Sequence, residues 1–277
     1  MDGRRSNFIS LIREICSEEN IEIKSFSDGW AHQLKKNGKQ CYIVGYQFPV
    51  NKASSKEICQ DKVLTYEVLT DAGIPAAEHL FLPKWEVRTK PEPSGIVKKA
   101  LSMLERDGKI VLKDNYGTGG NKVFLIEDEN GFYETLELIL QGSYAASLSP
   151  FYEIEEEYRV VMTDGDAAVI FRKERASETD ENGRKHYLTW KHNLGQGATG
   201  IPEYNPVIRK ALSEIAQKTA ETLDMTFCSV DIIRVNGAYM VLEVNGGVMM
   251  EHFSGQNEEC RALAKAAYRR AILKAME

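Results

Sequence analysis

One stretch constrains this chain more than any other: Val230 to Gly247, VDIIRVNGAYMVLEVNGG. Two apolar runs flank Asn236-Gly237, the strongest short-range hairpin signal, so the segment reads as a buried pair of antiparallel strands. Among these apolar residues sit three hard oxygen donors, Asp231, Glu243 and Asn245. Burying two carboxylates side by side is costly unless a cation compensates, and magnesium favours oxygens from few side chains plus phosphates. Glu243 and Asn245, two apart, share one strand face. Asp231 joins them only under a geometric condition. A two-residue turn would pair Val235 with Ala238 and put Asp231 and Glu243 on opposite faces. A shared cation therefore predicts a three-residue loop, Val235-Asn236-Gly237, with Gly237 left-handed and a bulge there. The competing reading puts both carboxylates on a solvated edge strand, and apolar neighbours on either side argue against it.

A second segment, Val111 to Val123 (VLKDNYGTGGNKV), runs from a strand ending at Lys113 into a loop holding Gly117, Thr118, Gly119 and Gly120. Glycines let backbone N–H groups approach phosphate oxygens, and Lys113 adds charge at the edge of that cradle. The segment lacks the GxxxxGK[ST] pattern, and a strand rather than a helix follows it, so neither a Walker loop nor a dinucleotide fingerprint is present. A third segment, Ser149 to Val161 (SPFYEIEEEYRVV), is an apolar-aromatic strand beside acidic residues. It could offer backbone groups to a base and a carboxylate to ribose hydroxyls, although a solvated acidic edge explains most of its glutamates.

Composition excludes several classes. The 277 residues carry 35 basic against 41 acidic side chains, a formal net charge of -6 that argues against a broad nucleic-acid surface. No run approaches a membrane span or signal peptide. Five scattered cysteines form no CxxC pair, so a reduced, cytoplasmic protein without a disulfide or zinc framework is expected. No Ser-His-Asp or Cys-His nucleophile pattern stands out.

Along the chain, Ser6 opens a helix through Ile15, Cys41 to Phe48 alternates like a strand, and one helix spans about Ser55 to Ala72 before Gly73 and Pro75. Trp85 to Ser94 reads as a loop. Short strands follow at Ile110 to Lys113, Lys122 to Glu127, Tyr158 to Met162 and Ala167 to Arg172, with a turn at Asp164-Gly165. Helices at about Pro206 to Leu223 and Asn257 to Met276 complete an α+β arrangement with antiparallel sheets.

Taken together and in order, these segments resemble the ATP-grasp superfamily, in particular its glutathione synthetase-like, cyanophycin synthetase-like and ribosomal-protein glutamate ligase-like branch. Asn51 to Pro75 (NKASSKEICQDKVLTYEVLTDAGIP) is similar to its entry helix, VLKDNYGTGG to its second lysine and glycine loop, and SPFYEIEEEYRVV to its adenine hinge. AVIFRKERA is similar to its phosphate-side arginine strand and VDII…VLEVN to its metal hairpin. The resemblance covers about residues 51–277. It implies two α+β lobes holding ATP between antiparallel sheets, with a short N-terminal α/β region at 1–55, a small lobe at 56–148 and a C-terminal lobe at 149–277.

The resemblance also implies roles. Lys62 and Lys113 would contact ATP phosphates, and Lys113 would also lie near the base. Gly117, Thr118, Gly119 and Gly120 would cover the nucleotide. Phe151 and Tyr152 would read adenine, and Glu157 or Glu153 would bind ribose. Arg172 would steady the transferred phosphoryl group, with Arg172 and Lys113 the catalytic pair. Asp231, Glu243 and Asn245 would hold one or two Mg2+, or Mn2+ in its place. The reaction implied is ADP-forming joining of a carboxylate to an amine through an acyl phosphate, with a small molecule or peptide as substrate. A small-molecule kinase or a nucleotide sensor on the same fold would share these residues. A homodimer is the default for such folds.

The substrate side is less defined. The region before the entry helix is short, and EVN continues as Gly246-Gly247-Val248-Met249-Met250-Glu251-His252. The polar stretch Arg175 to Pro202 is long enough to serve as a substrate loop. Arg159, Arg175, Arg184, Lys185, Lys191 and Asn193 are candidate carboxylate binders, Asn193 having the best family parallel, and His252 is the histidine nearest the metal hairpin. For the basic residues a solvated surface role competes, and the remaining histidines read as structural or solvent-facing.

Overall fold

A computed structural model of the protein describes residues 6–87, 92–117, 119–180, 185–192 and 194–277. Its organising element is a five-stranded antiparallel sheet in the order β12-β9-β8-β13-β14. These strands are β8 (Glu156–Thr163), β9 (Asp166–Glu174), β12 (Thr199–Pro202), β13 (Phe227–Val235) and β14 (Ala238–Asn245), with the separate antiparallel pair β10 (Ser177–Thr179) and β11 (Lys185–Tyr187) between β9 and β12 in sequence. One face packs on α6 (Pro206–Thr222), burying Tyr158, Val160, Ile170, Val230 and Ile232 against Leu212, Ala216 and Ala220. Each such fully buried large side chain contributes about 1.5–3 kcal/mol of transfer free energy.

The opposite face is divided along its length. One end is covered by α1 (Ser6–Glu18) and α8 (Glu258–Ala275), whose Phe8, Ile12 and Tyr268 share a core with Val161, Val169 and Phe227. The N-terminal strands β1 (Glu22–Phe26), β2 (Ala31–Lys36) and β3 (Lys39–Val44) contribute Leu34 and Ile43 to that same core. Glu251, in the short helix α7 (Glu251–Ser254), fixes the junction: its carboxylate accepts from Asn7 N at 2.9 Å and Phe8 N at 2.8 Å. It thereby satisfies two orphan donors at the α1 N-terminus, where the helix dipole favours an anion. The other end of this face is uncovered by helices.

A four-stranded antiparallel sheet, β4-β7-β5-β6, forms the second lobe from β4 (Leu80–Pro83), β5 (Ile110–Asp114), β6 (Val123–Ile126) and β7 (Ala145–Pro150). Leu82, Ile110, Leu112, Ile126, Ala146 and Leu148 point to α4 (Gly95–Asp107) and α5 (Glu129–Gly142). The register therefore turns Val111, Lys113, Val123 and Ser147 to the other face. The segment 75–77 hydrogen-bonds along β14, with Ala77 N donating to Val241 O at 2.8 Å, before the chain enters β4. One continuous segment thus ties the two sheets together.

Two local expectations are corrected. The long entry helix is broken into α2 (Ala53–Gln60) and α3 (Lys62–Asp71). Asp61 leaves the helical region at φ -93, ψ 109, and its carboxylate accepts from Val63 N and Leu64 N, an N-cap that restarts the helix. The metal hairpin closes with a two-residue turn, Val235 pairing with Ala238 and both Asn236 (φ 50) and Gly237 (φ 76) left-handed. The expected bulge lies elsewhere. Ile232 pairs with Val241 while Asp231 pairs with Glu243, so Leu242 is the extra residue and Asp231 faces the same side as Glu243.

Candidate active site

The uncovered end of the large sheet carries a row of alternating charges. Arg159 lies opposite both Phe171 and Asp231, and Asp231 opposite Glu243; Glu157 and Lys173 lie one strand repeat away on the same face. Arg159 grips Asp231 with two hydrogen bonds, Nε to Oδ1 and Nη2 to Oδ2, both 2.7 Å. Lys173 Nζ sits 2.8 Å from Asp231 Oδ2 and 2.6 Å from Glu157 Oε1. Asp231 is 1% exposed. Burial alone would raise the pKa of its carboxyl, yet Arg159 and Lys173 hold it well below the usual range. The same pairing lifts Lys173 above its ordinary value against the opposing effect of burial.

Across the cleft the small lobe presents two more cations. Lys113, on β5, is buried, and its pKa is pushed down to about 8, first by burial and then by the charge of Lys62, against the opposing pull of Glu243 and Glu157. Lys62, first residue of α3, donates to the carbonyls of Asn115 (3.1 Å) and Gly117 (2.6 Å) at the base of the glycine loop. Burial lowers its pKa as well. That loop joins β5 to β6, and Gly119 (φ 69) and Gly120 (φ 73) need the left-handed region that favours glycine. A side chain at Gly117 would meet Asp114 Cβ at 3.0 Å.

Because the native fold disfavours protonated Lys113, its cost is complete below about pH 8 and fades as pH rises towards the free-lysine value. Lys113→Met is therefore expected to stabilise the ligand-free protein by about 1–3 kcal/mol at pH 7. The same change should weaken ATP binding by about 10-fold or more. Chemical denaturation and nucleotide titration on one preparation check both, and a destabilised variant would show that the buried charge is compensated.

The other expected residues divide between this cleft and elsewhere. Phe151 packs its ring 5.7 Å from Trp190. The Tyr152 hydroxyl accepts from Glu78 N at 2.9 Å, which ties residues 150–156 to the 75–80 segment. Glu153 is exposed, whereas Glu157 is buried in the charged row. Lys191 Nζ reaches Gly120 O at 3.4 Å. Arg175 stacks 3.8 Å over Tyr187 and lines an open hollow of about 320 Å³ with Leu188, Gly197 and Thr199. His252 is solvent-exposed on α7. Thr118, Arg184 and Asn193 lie outside the described residues, as does the side chain of Lys185.

Arg172 is the principal correction. It pairs with Tyr158, which itself pairs with Ile232, and both of those residues belong to the core under α6. Arg172 thus lies on the face opposite the charged row, near Glu174 at 3.8 Å. The β9 cation in the row is Lys173. Reading β8–β9 as a clean hairpin from its turn at Asp164-Gly165 would set Arg172 opposite Glu157. A bulge intervenes, because Met162 pairs with Ala167 and Val161 with Val169, leaving Ala168 extra and exchanging the two faces. Nothing in the residue pattern marks Ala168 as that position.

The donor set can be tested against magnesium. Glu243 and Asn245 fit: they adjoin, with Asn245 Nδ2 3.1 Å from Glu243 Oε1, and each carries an oxygen suited to a hard cation. Asp231 is placed opposite Glu243, but both of its oxygens accept from Arg159 and Lys173. Among the described residues no group of three or more His, Cys, Asp or Glu side chains is placed to hold a metal. Glu243 and Asn245 are therefore the residues that would hold magnesium, a cation that takes oxygens from few side chains plus phosphates.

Comparison with known proteins agrees with this architecture. Residues 59–260, more than half of the chain, match the model of the RimK-like ATP-grasp domain. The D-alanine–D-alanine ligase of Bacillus anthracis superposes with a TM-score of 0.62 at 18% identity, over 81% of this chain and 70% of that one. The structure of that ligase complexed with ATP gives a TM-score of 0.62 at 17% identity, over 82% and 68%. A bifunctional glutathione synthetase from Pasteurella multocida gives 0.59 at 12% identity, over 94% of this chain but 43% of its own length. No curated protein matches the sequence. Among the described residues no helix is long and apolar enough to cross a membrane. By its domain match and its fold, the chain belongs to the RimK-like ATP-grasp family.

Proposed function

We propose that this protein is an ATP-dependent carboxylate–amine ligase, activating the carboxylate as an acyl phosphate and passing it to an amine, with an amino acid or short peptide as substrate. The observation that carries this reading is the convergence of Lys62, Lys113, Arg159 and Lys173 on one cleft beside Glu243 and Asn245. Phosphoryl transfer to a carboxylate asks a protein chiefly to position the reactants and offset charge, and preorganised cations in a water-poor cleft do both. Lys62 and Lys113 would meet the phosphates from the small lobe while Lys173 and Arg159 meet them from the large sheet. Glu157 and Asp231 hold those last two cations in place beforehand. Glu243 and Asn245 would hold magnesium, which when bound would supply positive charge to offset that of the phosphates. Solved structures that share this fold include a D-alanine–D-alanine ligase and a bifunctional glutathione synthetase, which supports the reaction class.

The test is ADP release from Mg-ATP with a panel of amino acids and dipeptides, with mass spectrometry of the products, for wild type and Glu243→Ala. A new amide product that disappears in the variant is expected. A phosphorylated compound without an amide would replace this reading with a kinase. ATP binding without turnover on any member of the panel would favour a nucleotide sensor.

A further inference from the structure

Three consecutive residues of the 185–202 stretch each touch a different wall of the cleft. Trp190 packs against Phe151 in the β7–β8 connection, Lys191 reaches Gly120 of the glycine loop, and His192 Nδ1 lies 3.1 Å from the carbonyl of Lys173 in the charged row. A carbonyl oxygen only accepts, so that contact requires Nδ1 to carry the proton and leaves Nε2 as a bare acceptor. His192 is 8% exposed, and Nε2 is buried with no partner among the described residues. Burial holds the ring neutral; Glu157 opposes this, while Arg175 and Lys173 add to it. An unpaired buried nitrogen is costly, and one that can only accept has no use for phosphate oxygens, which accept too. What it can serve is an incoming N–H.

We infer that His192 Nε2 is the proton acceptor for the amine substrate, an assignment that rests on the ligase reading above. The arriving ammonium gives one proton to Nε2, which frees its lone pair. The amine nitrogen then bonds to the acyl carbon, the acyl C–O bond to phosphorus breaks, and phosphate departs with that electron pair. A second N–H proton leaves with the phosphate, and the imidazolium returns the first to solvent. Burial, Arg175 and Lys173 keep the ring neutral before the proton arrives and oppose the imidazolium that forms, and Glu157 and the Nδ1 hydrogen bond to the Lys173 carbonyl offset part of that cost.

The experiment compares wild type, His192→Gln and His192→Asn, using whichever carboxylate of the panel supports ADP release. Two nucleophiles are supplied: an amino acid, whose amine is protonated at neutral pH, and hydroxylamine, which is not. The variants should lose about 100-fold or more in amide formation with the amino acid. Hydroxamate formation and the KM for ATP should stay within about threefold of wild type. Equal losses with both nucleophiles, or a raised KM for ATP in place of a nucleophile-dependent loss, would overturn the assignment and leave the ligase reading intact. Wild type that forms no hydroxamate with any carboxylate overturns the ligase reading, and the assignment with it. Nitrogen-15 NMR of histidine-labelled wild type gives a check without a variant: His192 should be protonated on Nδ1, and an Nε2–H tautomer would rule the inference out.

Discussion

Lys173→Met is expected to lower kcat/KM by about 1,000-fold, whereas Arg172→Met, one residue away, should change it by less than about threefold. The contrast follows from the two faces of β9. Lys173 Nζ sits between Asp231 and Glu157 in the cleft, while the Arg172 side chain lies over the α6 side beside Glu174. Methionine keeps the length of the lysine stem but removes the cation, so the variant tests charge more than packing. It also leaves Glu157 without its buried partner, so the comparison should be made at a temperature where circular dichroism shows both variants folded. Lys173→Arg should recover part of the loss. Equal losses at positions 172 and 173 would refute the face assignment, and an inactive Arg172→Met beside an active Lys173→Met would restore the sequence-based expectation.

Asp231→Ala should cost about 3–5 kcal/mol of folding stability, a large share of what a domain has. It leaves the buried Lys173 and the mostly buried Arg159 without their shared anion. The sign of the pH dependence is fixed by the depressed carboxyl. Asp231 contributes its full stabilisation above the unfolded aspartate value of about 3.9, and that contribution is lost as pH falls below it through the folded value. Urea denaturation of wild type and variant across that range should show a wide gap at pH 7 that narrows in acid. A gap that persists unchanged in acid would mean that the ion pairs are not its source. Loss of nucleotide binding in Asp231→Ala follows as a secondary effect, since the two cations it positions would be free to turn away.

The charged cluster shows where sequence reasoning reaches and where it stops. Residue type alone singled out Asp231, Glu243 and Asn245, because carboxylates embedded in an apolar hairpin need compensation. It did not indicate that Arg159 and Lys173 supply it to Asp231, since those partners come from strands 72 and 58 positions away in the chain. His192 and Trp190 were equally opaque: each is defined by a contact to a different wall of the cleft, and no spacing in a polar loop encodes such contacts. The N-terminal strands also carry no mark of their destination, yet Leu34 and Ile43 lie in the core that α8 forms with the large sheet.

What the sequence determined by itself was the set of local elements: an Asn-Gly hairpin, a glycine loop after Lys113, two long amphipathic helices and an antiparallel α+β arrangement. Their order along the chain was enough to identify the fold family. What only the tertiary structure decided was which way side chains face. Leu242 bulges out of β14 and brings Glu243 opposite Asp231 despite a two-residue turn, and Ala168 bulges out of β9 and replaces Arg172 with Lys173. In a strand the side-chain period is two, so one extra residue exchanges the faces for everything beyond it. That choice is set by packing on both sides of the sheet, which no local pattern of residues contains.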